Sequence, residues 1–324
     1  MHEVFPGGGV RSAAVIVVCG EALIDLTASR VEPGRFDARP GGGPCNTAVG
    51  LGRMGVSTGF LGRLSTDRFG VVLRDHLIGA GVSVDMIVNT GDPSTLAVAH
   101  IAPDGGASYA FYANGTADPG LTTEMLPTLG SDVTALHMGT CALVFEPCGT
   151  TLETLFHVER TSGARFLALD PNIRMGVVAD VDADRCRILR WIAAADLVKV
   201  SDADIAALWP DDNIVERAAI LASSGPALVV LTRGADAIVG FRPDGSRVIV
   251  AAMPVDVVDT IGAGDTVNAA ILAWLHLGGH LTRAGLVSRT NDDIVEMLQF
   301  AARAAAVTCS RAGANPPWAS ELGL

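Results

Sequence analysis

Positive charge is scarce in this chain. Its 324 residues carry 23 lysines and arginines against 35 aspartates and glutamates, a formal net charge of −12 at pH 7. A phosphate backbone is bound by clustered basic side chains, so a nucleic-acid surface is not expected. Long apolar runs are also missing. The stretch from Ala13 to Cys19 is stopped by Gly20-Glu21 far short of a membrane span, and its flanks do not read as a secretion signal. The six cysteines (Cys19, Cys45, Cys141, Cys148, Cys186, Cys309) lack the close pairs of a metal site or a disulfide framework. Reduced thiols in a cytoplasm are the simplest expectation. There is no internal repeat, no P-loop of the form Gly-x-x-x-x-Gly-Lys-Ser/Thr and no protein-kinase signature set.

What is present suits a compact enzyme of small molecules. Hydrophobic residues make up 49% and charged residues 18%, a balance that argues against disorder. The length fits one large α/β domain with an appended element. Met1 to Arg11, with Pro6 and three glycines, reads as a frayed tail, so the expected layout is a tail over 1–13 and a folded domain over 14–324. If the small-molecule partner is anionic, local devices such as helix starts, a metal ion and a few basic residues must overcome the overall field.

Short β-rich runs alternate with amphipathic stretches, the pattern of a mostly parallel sheet covered by helices. The expected strands are Val15 to Val18, Ala135 to His137, Phe166 to Asp170, Leu197 to Lys199 and Ala227 to Thr232. The expected helices are Asn46 to Met54, Phe69 to Ala80, Thr150 to Thr161, Ala203 to Trp209 and Ile294 to Thr308. Two segments break the alternation, Leu26 to Arg39 and Ser94 to Phe111, the second with residues recurring at strand period. They pair either as a small separate sheet covering a site or as edge hairpins of the main sheet.

Polar clusters follow these strands. Asp25, in Gly20-Glu21-Ala22-Leu23-Ile24-Asp25, emerges near the end of the first strand, where a carboxylate can grip two sugar hydroxyls or simply be solvated. Gly41-Gly42-Gly43-Pro44-Cys45-Asn46 lets backbone approach a ligand and presents Asn46 near a helix start. It also reads as a plain loop or a degenerate dinucleotide turn, although it follows Pro40 and departs from the Gly-x-Gly-x-x-Gly spacing. Asp170-Pro171-Asn172-Ile173-Arg174 closes another strand, and the Arg174 fork suits a substrate oxygen, a carboxylate or a phosphate. Lys199-Val200-Ser201-Asp202-Ala203-Asp204 offers a lysine for phosphate and groups for water-mediated magnesium contacts, or an ordinary helix cap. Thr232-Arg233-Gly234 adds a hydroxyl, a cation and a close-approach backbone.

The last cluster is Asp259-Thr260-Ile261-Gly262-Ala263-Gly264-Asp265, a glycine-rich turn leading into an apolar helix that stops at Gly278-Gly279. Helix-start amides attract anionic oxygen, and a carboxylate there could act as a base or merely cap the helix. All the clusters fall at the ends of successive strands, which is the ligand edge of a doubly wound sheet.

Together these residues resemble the ribokinase-like, or PfkB, family of carbohydrate kinases. Both signature regions are recognisable, the glycine-rich stretch Gly41 to Gly55 and Asp259 to Asp265, and the similarity runs from Gly20 to Pro317. Gly-Glu-Ala-Leu-Ile-Asp, Asp-Pro-Asn-Ile-Arg and Lys-Val-Ser-Asp-Ala-Asp look most like the fructokinase branch. The resemblance implies a ribokinase-like, doubly wound α/β fold with nine or so strands in a mostly parallel central sheet flanked by helices. It also implies a small β-sheet lid over about 26–39 and 94–115, and ATP-dependent phosphorylation of a sugar hydroxyl.

Carried across, Asp265 is the base, which its helix-start location should keep ionised at neutral pH. The amides of Gly262, Ala263 and Gly264 form an anion hole. Asp25, Gly42, Gly43 and Asn46 match sugar-binding positions, to which Asn172 and Arg174 are added as substrate contacts. Lys199, Ser201, Thr232 and Gly234 match the nucleotide side, with Asp204 organising Mg2+ through water. Many relatives have Asn-x-x-Glu where this chain has Ser201-Asp202-Ala203-Asp204. Relatives often place a monovalent cation such as K+ beside the anion hole, a region matched by Asp259 and the Gly313 loop, although the loop from Thr308 to Gly313 is longer than in ribokinases. The implied partners are a sugar and ATP, with no nucleic acid and no membrane, and the outer face of a lid sheet offers a surface for a homodimer. Fructokinase is the first reading, beside 2-keto-3-deoxygluconate kinase or a ribose or nucleoside kinase. Outside that class stand an NAD-dependent dehydrogenase and a non-catalytic sugar sensor. Tyr109, Phe111 and Tyr112 are candidates for shaping sugar specificity.

Overall fold

Strands of a parallel sheet that are covered on both faces read as near-continuous apolar runs. Here the runs Val15–Cys19 (β1), Val133–Gly139 (β9), Phe166–Asp170 (β10), Leu197–Ser201 (β11) and Leu228–Thr232 (β12) are almost wholly buried. The computed structural model describes residues 14–28, 32, 34–101, 107–178 and 180–324. The tail expected over 1–13 lies outside the described residues, as do 29–31, 33 and 102–106 within the two irregular segments.

The central sheet has ten strands, one more than the expected nine or so. Thr58–Ser65 (β4), Val82–Ser83 (β5) and Ile87–Thr90 (β6) extend it beyond β1. Ala237–Phe241 (β13) and Arg247–Ala251 (β14) close the other edge as an antiparallel hairpin, while β1, β4 and β9 to β12 run parallel. Strand β14 alternates exposed and buried residues because one of its faces meets solvent.

Helices Gly43–Arg53 (α1), Arg68–Gly79 (α2), Ala263–Leu277 (α7) and Asn291–Cys309 (α9) pack on one face of the sheet. Helices Cys148–Ser162 (α3), Val181–Ala194 (α4), Asp202–Leu208 (α5) and Ile214–Ala222 (α6) cover the other, around the buried Phe156 and Trp191. Two short helices, Arg283–Val287 (α8) and Ala319–Leu322 (α10), complete the chain. The five expected helices all form, shifted by up to three residues at their starts. Because α9 runs to Cys309, most of the stretch expected as a loop from Thr308 is a short turn after that helix.

The irregular segments form a separate four-stranded sheet, not edge hairpins. Its order is Phe36–Gly41 (β3), Leu23–Ala28 (β2), Leu96–Ile101 (β7), Ala107–Tyr112 (β8), with β2 and β7 parallel and the other pairs antiparallel. This small sheet stands at the edge where β1, β9, β10, β11 and β12 end, so the polar clusters face it. Among the described residues, no helix is long and apolar enough to cross a membrane.

Candidate active site

Helix α7 begins on a glycine for steric reasons. Gly262 is its N-cap with φ 77, a conformation open to glycine, and a side-chain carbon there would stand 2.6 Å from Ala314 Cβ. No side chain caps the helix start. The Ala263 N–H turns back to the Thr260 carbonyl at 3.2 Å, so of the three amides expected to form an anion hole this one is already engaged. Asp259 braces the turn: its carboxylate accepts the Ile261 N–H at 3.0 Å and the Gly313 N–H at 2.8 Å.

Asp265 lies in the first turn of α7 and is 7% exposed. The Asn46 side-chain amide, four residues into α1, donates to its Oδ2 at 2.9 Å. Burial first, and then the charge of Asp170, push the Asp265 carboxyl up to about 6, against the Asn46 hydrogen bond and the cations Lys199 and Arg174. The helix start therefore does not dominate; Asp265 remains largely ionised at neutral pH but is a better base than an ordinary aspartate. Asp25 is likewise raised to about 6, by burial and then by Asp265, with Arg174 opposing.

These residues surround a cavity of about 530 Å3, walled by Asp25, Gly42, Gly43, Asn46, Asn172, Arg174, Lys199, Asp259, Gly262, Gly264 and Asp265. Glu21, Leu23, Thr27, Tyr109, Phe111 and Thr140 complete much of the wall. Tyr109 and Phe111 thus face the site, whereas Tyr112 is 62% exposed on the opposite face of the lid sheet. A second, more apolar cavity of about 750 Å3 is lined by Ser201, Thr232, Gly234, Ile238, Val255, Val257, Ala302, Ala306 and others. The two meet at Asn172, Lys199, Thr260, Val257 and Gly264.

Lys199 holds that junction. It is the only lysine in the chain, is 3% exposed, and donates to Asp170 Oδ2 at 3.0 Å. Burial works against its charge, but Asp170, Asp204 and Asp265 outweigh that and raise its pKa. Asn268 donates to the same Asp170 oxygen at 2.6 Å, leaving Asp170 fully committed.

The structure spreads the remaining expected residues unequally. Ser201 caps α5 and its hydroxyl accepts from the Asp204 N–H at 3.1 Å. Asp204 Oδ2 accepts in return from the Ser201 N–H at 2.7 Å, and Oδ1 from the Ile173 N–H at 2.6 Å. Both oxygens of Asp204 are therefore in use, tying the loop after β10 to the start of α5, and the residue lines neither cavity. Arg174 keeps its guanidinium on the backbone carbonyls of Asn172 and Ile173, at 3.4 and 3.2 Å.

Sequence reasoning gave no role to Asp170 and Glu21, although both stand in the polar clusters, and passed over Asn268 and Thr140. Asn268 had a signal, since it stands three residues after Asp265 on one face of the same helix. Thr140 had none: it follows β9 with φ 62, unusual for a β-branched residue, and sits beside Gly43 and Asn172, itself at φ 40. Glu21 is wholly buried, accepts the Ala142 N–H at 2.9 Å, and is pushed by burial up to about 8, so it is largely protonated at pH 7.

The model of the pfkB family carbohydrate kinases matches residues 13–321. A fructokinase of Rhizobium leguminosarum bv. trifolii is 40% identical over 85% of this chain and 83% of its own length. The crystal structure of a Xylella fastidiosa fructokinase with bound ATP superimposes with a TM-score of 0.87 at 27% identity, covering 95% of this chain and 97% of that one. An aminoimidazole riboside kinase of Salmonella enterica has the same fold, with a TM-score of 0.81 at 22% identity over 95% of this chain and 98% of its own.

Proposed function

The chain belongs to the PfkB family of carbohydrate kinases and is a fructokinase-like sugar kinase; on that premise we propose that its acceptor is fructose and that Asp265 is its catalytic base. The observation that carries this reading is the junction of two cavities at Lys199 and Gly264. A polar one holds Asp25, Asn46 and Asp265; a more apolar one suits a nucleotide base. An acceptor hydroxyl in the first and a γ-phosphate at the α7 start would meet beside Asp265.

In the proposed reaction the sugar oxygen forms a bond to the γ-phosphorus as the bond from phosphorus to the ADP oxygen breaks, and the hydroxyl proton passes to Asp265. Positioning and charge stabilisation supply most of the acceleration. The Gly262 and Gly264 backbone at the α7 start and the Lys199 ammonium would hold the developing charge, and Asp25, Asn46, Asn172 and the Gly42-Gly43 backbone would orient the sugar. Thr232, Gly234 and Ser201 line the more apolar cavity, where the nucleotide would sit.

The kinase family implies a divalent ion with ATP, and magnesium is the proposed one. Among the described residues, no cluster of three or more histidines, cysteines and carboxylates could hold a metal. Magnesium would be carried by phosphate oxygens and water, since both oxygens of Asp204 already accept backbone N–H groups. A monovalent cation is proposed near Asp259.

An uncharged sugar is favoured because Asp25, Asp259 and Asp265 all line the cavity while the charge of Lys199 is matched by Asp170. One observation favours an acidic sugar such as 2-keto-3-deoxygluconate instead: Arg174 faces the cavity with its guanidinium bonded only to backbone carbonyls. The dehydrogenase reading does not survive. Gly41-Gly42-Gly43 joins lid strand β3 to α1, not a central strand to a crossover helix, and the family match covers nearly the whole chain.

ADP release measured with fructose, ribose, 2-keto-3-deoxygluconate and nucleosides tests the assignment. Fructose is expected to give the highest kcat/KM. A preference for the acid sugar would move the substrate to the second reading, and no turnover with any sugar would favour a sensor. Phe36 and Tyr112, exposed on the outer face of the lid sheet, support the proposal of a homodimer through that face, which sedimentation showing only monomer would exclude.

A further inference from the structure

The cavity-facing side of the lid sheet carries a second charged residue beside Asp25. In the β2–β3 register Asp25 stands directly opposite Arg39. Residues paired in this way share a face, with Cβ atoms about 4.5–5.5 Å apart, and the Arg39 side chain is exposed.

Arg39 is not part of the cavity wall. It reaches instead to the turn after α9, where a side-chain carbon on Gly313 would stand 2.8 Å from Arg39 Nη1 and 3.4 Å from its Cδ. Gly313, at φ 71, leaves the flat guanidinium room to lie against the backbone.

The other side of the same two-residue strip supports the phosphate-binding turn. The Gly313 N–H donates to Asp259 Oδ2 at 2.8 Å, and the second Asp259 oxygen accepts the Ile261 N–H at 3.0 Å. Ala314 backs Gly262, whose side-chain position lies 2.6 Å from the Ala314 Cβ. A lid residue on one side and the start of α7 on the other thus touch one strip of backbone.

We propose that Arg39 is a positioning residue that couples sugar binding on the lid to the geometry of the phosphate-binding turn. Arg39 already lies against Gly313; a sugar drawn against Asp25 steadies that contact, and the Gly313-Ala314 strip, through Asp259 and Gly262, sets the backbone that receives the transferred phosphoryl group. The inference rests on the sugar-kinase reading of the cavity.

The test uses the full-length enzyme with D-fructose and ATP. Arg39→Ala is expected to lower kcat about tenfold while the fructose dissociation constant from calorimetry is unchanged, because small misplacements of reacting groups cost rate more than binding. Arg39→Lys should recover part of the loss, and the losses of Arg39→Ala and Asp259→Asn should combine to less than their product. Hydrogen exchange supplies a readout independent of turnover: fructose should slow exchange in lid strands β2 and β3 and the 259–265 turn of the wild type, but only in the lid of Arg39→Ala. Unchanged kcat, a loss confined to fructose affinity, fully multiplicative losses, or equal protection of the turn in both proteins would overturn the coupling. Absence of any fructose protection in the wild-type lid would instead remove the sugar-site reading on which it rests.

Discussion

Asn46 and Asp265 are 219 positions apart in sequence, yet the Asn46 amide donates to Asp265 Oδ2 at 2.9 Å. This bond joins the starts of α1 and α7 and fixes one carboxylate oxygen. The other, Oδ1, is turned toward Gly43, 3.3 Å from where a side-chain carbon on that glycine would stand. Asp265→Asn keeps the shape of the group and removes the proposed base. It should retain fructose and ATP binding while kcat falls about 10²-fold or more. Turnover near that of the wild type would remove Asp265 from the reaction.

If Asp265 is the base, the same carboxyl should set an acid limit on activity. Its pKa is raised to about 6, and a base works only when ionised, so kcat/KM should rise with pH through about 6 and level off above it. Asp170 is the largest charge pushing Asp265 upward. In Asp170→Asn the acid limb should move to lower pH, and a limb that stays in place or moves up would contradict that electrostatic account.

Gly43 leaves no room for a side chain. A methyl there would run into Thr140 Oγ1 and come within 3.3 Å of Asn172 Nδ2 and Asp265 Oδ1. Gly43→Ala should therefore reduce kcat/KM for the sugar by at least about tenfold with little change in ATP affinity, since displacing a reacting group by a fraction of an ångström is costly. Steady-state kinetics varying each substrate in turn would check this.

The Lys199–Asp170 pair is buried on both sides, with side chains 4% and 3% exposed. Removing one partner strands a charge, so Lys199→Met should destabilise the fold by about 3–5 kcal/mol in denaturant titrations. Asp170→Asn added to Lys199→Met should restore much of the loss. A double variant as unstable as the single one would mean that packing, not charge, is what Lys199 contributes.

Glu21 predicts a dependence of stability on pH in the opposite sense to an ordinary paired carboxylate. Its folded pKa is raised to about 8, so between the usual carboxyl value and about pH 8 the folded chain holds a proton that the unfolded chain has released. Stability must then fall as pH rises through that window. Asp118, raised to about 7 by burial, adds to the trend. Glu21→Gln keeps an acceptor for the Ala142 N–H and titrates no proton. Its Tm should decline less steeply than that of the wild type between about pH 5 and pH 8. Parallel curves would place the proton elsewhere.

Much of this arrangement was legible because the informative residues sit at strand ends. Phe166 to Asp170 reads as a strand from its apolar run alone, and Asp259 to Asp265 reads as a turn into a helix from its glycines. The lid was visible as a break in alternation, though only the structure separated a second sheet from edge hairpins. The α4 helix was missed because its start, Val181 to Arg187, is largely polar and its apolar stripe is carried late, by Ile188, Trp191 and Ile192. Strand β4 was missed because Gly59 and Gly62 interrupt its hydrophobic pattern. Thr140 could not have been found, since its role depends on a backbone conformation that a threonine rarely adopts. For the Ser201–Asp204 cluster the sequence offered a helix cap at Ser201 or Asp202 beside a metal role for Asp204; Ser201 is the cap, and Asp204 completes its capping box.

A chain with one lysine has one side-chain ammonium to observe. Lysine labelled with nitrogen-15 would give a single side-chain resonance, already assigned, at the point where the two cavities meet. Its chemical shift would follow the arrival of nucleotide, the arrival of sugar and the titration of the neighbouring carboxyls in one spectrum, with no engineered probe. Few enzymes of this size come with their own reporter at the place where the reacting groups would be joined.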